Sequence, residues 1–199
     1  MYKKQMTLQR IVCFALLIAA ALVFVYSLGL MTDLYDNKLN YYAEDYYLYD
    51  EDPANLMVLG SEIYYDMQEF NRNLTKAGIV LILLAAAQFV FQNHTRRKYY
   101  IANYITVGVN TVASVAISVW ALSNIFSYKA QYLQVDFETL ATKAEQYGFE
   151  WYISTFWFDI AIPVFAILLV ATVINVVNLF WKKSLMKAEQ KLIEEGKEA

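Results

Sequence analysis

One cysteine, one histidine and two prolines among 199 residues close off several chemistries at the outset. With Cys13 alone, no disulfide can form within the chain and no Cys-x-x-Cys redox pair exists. With His94 alone, no two-histidine zinc site can be built. The sequence has no G-x-S-x-G elbow and no Walker loop, and its carboxylates do not follow EF-hand spacing. We therefore read the chain as non-enzymatic, with no catalytic residue, no cofactor and no metal. Charge is scarce too: 18% of residues are charged, against about 25% in ordinary soluble domains. No basic groove with interleaved aromatics is present, which argues against a nucleic-acid partner. Large outward loops without disulfides lean towards a bacterial plasma membrane and away from an animal cell surface.

What the chain has is apolar residues, 59% of them, gathered in blocks. Uncharged or nearly uncharged blocks lie at about 11–31, 77–92, 101–126 and 152–181. In lipid a spanning segment must satisfy its own backbone hydrogen bonds, so each block is expected to be a helix. The first follows Lys3, Lys4 and Arg10 like a signal peptide, but at roughly 20 residues it is long enough to span and reads as an uncleaved anchor. The predicted fold is all-α and integral to the membrane: a four-helix transmembrane bundle with a small helical extracytoplasmic cap, forming a single membrane domain.

Basic residues near span ends mark the cytoplasmic side. Lys3, Lys4 and Arg10, then Arg96, Arg97 and Lys98, then Lys182, Lys183, Lys187, Lys191 and Lys197 all fall on one side of a four-span topology. Both termini are thus expected inside, with residues 182–199 as a solvated, fraying tail, the alternative being that Leu185, Met186, Leu192 and Ile193 continue the fourth span as an amphipathic helix. Loops 32–76 and 127–151 are expected outside, the first carrying Asp33, Asp36, Glu44, Asp45 and further acids. Trp181 at one end and Trp151 with Trp157 at the other read as interfacial anchors.

The first loop, at roughly 45 residues, is too long to be structureless in a compact protein. Asp52-Pro53 reads as a helix start. Leu56, Leu59, Ile63, Met67, Phe70 and Leu74 then recur at helical spacing towards the second span, with Gly60 a weak point. In the second loop Asp136 can cap a helix whose apolar positions are Phe137, Leu140, Ala141 and Ala144, stopped at Gly148. Between the first span and Pro53 lies a tyrosine-rich acidic stretch. Tyr41, Tyr42, Tyr46, Tyr47, Tyr49 and Asp50 are candidates for binding a partner. Tyrosine gives large contact area at small entropic cost, although headgroup contact or sugar or cation binding would use the same residues.

Inside the spans, Asn110, Ser114 and Ser118 follow at intervals of four and are candidates for helix packing, where small and hydroxylated residues allow close approach. Asp159 and Asn175 are candidate polar residues within the membrane. Asp159 is the one charge in the four blocks, and counting back from Trp181 places it at the outer interface, away from the centre where a coupled carrier needs an ionisable group. No family resemblance emerges. Four-span small multidrug exporters need a glutamate in their first span, which residues 11–31 lack. Claudin-like proteins carry a tryptophan motif and a cysteine pair in a first loop, and this loop has neither. The reading reached by elimination is an accessory or interaction subunit of a larger membrane complex such as a solute transporter, with the bilayer and a membrane-protein partner or a second copy as its contacts. A small oligomeric channel or carrier, and an outward-facing sensor, are the alternatives.

Overall fold

A computed structural model describes residues 2–42, 58–92, 100–148 and 150–198. They are all-helical, and no strand occurs among the described residues. In chain order the helices are α1 (Tyr2–Gly29), α2 (Thr32–Asp36), α3 (Leu39–Tyr42), α4 (Ile63–Gln92), α5 (Tyr100–Tyr132), α6 (Phe137–Tyr147), α7 (Phe156–Asp159) and α8 (Ala161–Glu198). Four segments are long and apolar enough to cross a membrane: Thr7–Asp36, Ile63–Gln92, Asn103–Tyr132 and Phe156–Gly196.

The helices outrun the apolar blocks that announce them. The second block continues backwards without interruption to Ile63, because Met67, Phe70 and Leu74 keep one face buried. The helix does not reach Gly60, whose φ of +86° places it in a turn, so the amphipathic pattern from Leu56 onwards forms a helix only after that turn. The proposed start at Asp52-Pro53 lies outside the described residues. The tail differs from expectation. Rather than fraying after Trp181, α8 continues to Glu198, with Lys191 to Gly196 exposed all round. Leu192 and Ile193 are among the exposed residues, so no amphipathic face is buried there.

The fourth block is broken near its start. Ile160 separates α7 from α8, and Pro163 explains the place: it has no N–H to offer Asp159, four residues back, and its ring crowds that carbonyl. The chain resumes its ladder at Val164, whose N–H donates to the carbonyl of Ile160 (3.2 Å). Helix α6 follows its sequence pattern closely. Asp136 is the N-cap, accepting from the N–H (3.0 Å) and hydroxyl (2.6 Å) of Thr139, and Gly148 ends the helix in the left-handed region. The Thr139 hydroxyl, then its N–H, hold the Asp136 carboxyl below the usual carboxylate range.

By compactness the chain divides into two units. The first comprises Met1–Val23, Gly78–Ser118 and Phe165–Ala199; the second comprises Phe24–Ala77 and Val119–Val164. Within the first, segments of α1, α4, α5 and α8 turn large aliphatic and aromatic side chains outward, among them Ile11, Phe14, Leu83, Val112, Val173 and Phe180. Their polar side chains turn inward. That is the reverse of a water-soluble domain, in which exposed apolar patches stay small.

Candidate functional site

The polar interior of the first unit is built on a helical repeat in each of its four segments. Gln5, Gln9 and Cys13 step by four along α1, Gln88 and Gln92 along α4, Asn110, Ser114 and Ser118 along α5, and Asn175, Asn178 and Lys182 by three and four along α8; all are buried. Steps of three and four keep side chains on one helix face, so each helix presents a polar stripe to its neighbours.

One end of this interior answers a backbone problem. The last four carbonyls of a helix have no partner within it, and in an apolar setting each needs one from elsewhere. At the end of α4 three other helices supply it. The carbonyl of Gln92 accepts from Gln9 Nε2 of α1 and from Lys182 Nζ of α8 (3.3 Å). Asn103 of α5, its amide oriented by the surrounding hydrogen bonds, donates to the carbonyl of Phe91 (3.1 Å) and accepts from Lys182 Nζ (3.2 Å). The network extends through Gln5, which donates to Gln9 (3.2 Å) and to Asn178 (3.4 Å). Cys13 is more than an apolar filler, since its Sγ donates to Gln92 Oε1 (2.9 Å).

Further along, Asn110 donates to Gln88 Oε1 (3.0 Å), Ser114 to Asn110 Oδ1 (3.4 Å) and Ser118 to the carbonyl of Ser114 (2.7 Å). Asn110, Ser114 and Ser118 therefore lie buried along one face, linked to α4, within their own unit. Three interior groups remain without a partner: both atoms of the Asn175 amide, Thr111 Oγ1 and Gln5 Oε1. Leaving such a group dry costs about 1–3 kcal/mol, and Asn175 is fully buried.

The second unit holds a separate polar group. Asp33, expected among the acids of the outer first loop, is buried. Its Oδ2 accepts from the N–H of Trp157 (3.2 Å), in the first turn of α7. A carboxylate is favoured there by the exposed N–H groups and the dipole of a helix start. Asn37 bridges outward from the same place, donating to Tyr132 Oη (2.9 Å) and to the carbonyl of Tyr152 (2.9 Å) while accepting from the N–H of Tyr152 (3.2 Å). Trp157 is no free anchor: its ring lies against Gly29, where a Cβ would come within 2.1 Å of it. Asp159 is exposed and ion-paired with Lys129 (2.6 Å), and it also accepts from Thr155 (2.7 Å). It does not belong to the polar interior that contains Asn175.

Of the tyrosine-rich candidates, Tyr41 is exposed and Tyr42 buried, with the carbonyl of Tyr42 accepting from Ser61 Oγ (3.0 Å). Tyr46, Tyr47, Tyr49 and Asp50 lie outside the described residues, as does the basic turn with His94. Sequence reasoning missed Gln5, Gln9, Gln92 and Asn103 and placed Lys182 in a solvated tail. The i, i+4 spacing of the glutamines was the signal available. Comparison with protein-family models, curated proteins and solved structures finds no match for this chain.

Proposed function

We propose that this chain crosses a plasma membrane four times with both termini in the cytoplasm, and that it serves without catalysis as an accessory subunit of a larger membrane complex such as a solute transporter. The apolar exterior of the four long helices supports membrane insertion. The basic residues near both ends of the sequence and within residues 93–99 support the orientation.

The observation that carries the interaction reading is apolar surface away from the spans. Tyr41, Leu59, Leu133, Tyr152 and Ile153 are exposed large side chains outside the four candidate spans, and Leu59 and Leu133 are 75% and 53% exposed. Leu59 and Leu133 sit on connections joined by the Asp136 N–H, which donates to the carbonyl of Leu59 (3.0 Å). Lipid would cover such side chains within a span. Beyond the spans, a protein partner is the natural cover.

Affinity purification in mild detergent tests this. A second membrane chain should co-purify in fixed stoichiometry, and Leu59→Asp with Leu133→Asp should cut its recovery about tenfold, a loss of roughly 1.4 kcal/mol, at unchanged melting temperature. Recovery of a pure homo-oligomer would overturn the accessory reading. For orientation, in a Cys13→Ser background, cysteine at Lys143 should react with an impermeant thiol reagent in intact cells and cysteine at Thr95 should not. Outside labelling at Thr95 would reverse the topology.

A further inference from the structure

The unpartnered groups of the first unit have a common character. Asn175 offers two N–H donors and a carbonyl acceptor, and Gln5 Oε1 and Thr111 Oγ1 offer acceptor capacity. Asn175 shares the inward face of α8 with Asn178, which meets Gln5 of α1, and with Lys182, which meets Gln92 of α4 and Asn103 of α5. That face therefore looks onto all three other helices, and Asn175 lies two helical turns, roughly 10 Å, deeper than Lys182. Gln88 and Asn110 are likewise one and two turns inward from Gln92 and Asn103, and they are bonded to each other. Among the described residues, the one charge in this interior is Lys182, and it is committed to the end of α4.

We propose that the interior of the first unit, among Gln88, Asn110 and Asn175, holds a neutral molecule that both donates and accepts hydrogen bonds: a water cluster, or a hydroxyl- or amide-bearing solute of a few heavy atoms. The free groups supply donors and acceptors together and no charge, so they match a neutral ligand and would leave an ion unbalanced. An apolar cavity stays dry, whereas a polar one with two to four available partners retains water. A primary amide with every atom unspent in an apolar span has a partner of this kind or is a defect.

The two cases give opposite results for Asn175→Leu, which is close in size. If the site were dry, removing an orphaned amide would raise the melting temperature of the purified chain in phospholipid nanodiscs. With a ligand in place, the substitution removes its hydrogen bonds and the melting temperature should fall by several degrees. An unchanged or raised value would overturn the proposal. Should Asn175→Leu fail to accumulate, the native chain decides. X-ray hydroxyl-radical labelling marks buried side chains only beside held water, and Cys13, buried next to Gln88 and Gln92, should be oxidised if water is the occupant. If a solute is the occupant, gentle native mass spectrometry should show its mass on the native chain, with the mass lost from Asn175→Ser. Neither labelling nor added mass would overturn the proposal. These readouts need no partner chain, so their failure is distinct from failure of the accessory reading.

Discussion

Alanine in place of Gly29 is expected to destabilise the protein by about 3 kcal/mol, the upper end of the range for overpacking. The new Cβ would stand 2.1 Å from one Trp157 ring atom and 2.2 Å from another, well inside van der Waals contact. The ring has little freedom to withdraw because its backbone is held on both sides. The N–H of Trp157 donates to Asp33 Oδ2 (3.2 Å), and its carbonyl accepts from the hydroxyl of Tyr26 (2.9 Å). For a chain of this length the melting midpoint should drop by roughly 6–12 °C. Combining Gly29→Ala with Trp157→Leu should recover part of the loss, since two residues in contact are not additive. Native-like melting of Gly29→Ala alone would mean that helix and ring do not approach this closely.

Gly29 and Trp157 also show where the sequence stops being informative. A tryptophan near the end of an apolar block has the composition of an interfacial anchor, and no pattern within α7 says that a glycine 128 positions earlier receives its ring. Local signals fared better. The cap at Asp136, the stop at Gly148 and the continuity of the pattern from Met67 into the second span are set within a few residues of chain, where spacing and turn chemistry act directly. The four-residue step of Asn110, Ser114 and Ser118 was equally legible as a face. What covers that face depends on which helices adjoin it, and that is a property of topology.

Charge was the least legible property. Among the described residues two charged side chains are buried, Asp33 and Lys182. Sequence reasoning counted one as an acid of an outer loop and the other as a base of an inner tail, and named a partner for neither. Each is instead directed at a helix end of opposite sign: Asp33 at the start of α7, Lys182 at the end of α4. Composition near a span end records how many charges are there, and that count is the same whether a side chain points to water or to a neighbouring backbone.

Lys182 allows these two roles to be separated. In Lys182→Glu a carboxylate would face the Gln92 carbonyl and the Asn103 side-chain oxygen, both of which accept from the ammonium in the native chain. Two charge-assisted hydrogen bonds disappear and a repulsive charge is buried at the negative end of a helix. The expected loss is about 3–5 kcal/mol, as for other uncompensated buried charges. Lys182→Met should lose less, about 1–3 kcal/mol, because the carbonyls lose a donor but no charge is left buried. Lys183 supplies the control. It is part-exposed, with its ammonium 5.7 Å from the ring centre of Tyr104, and Lys183→Glu should cost less than about 1 kcal/mol. The charge rule for orientation treats the two lysines alike. If their glutamate variants lost stability equally in detergent, Lys182 would matter only as a positive charge near a span end. A wide gap, with Lys182→Glu unfolding far earlier, would instead support the three-helix cap on α4 as what holds the first unit together.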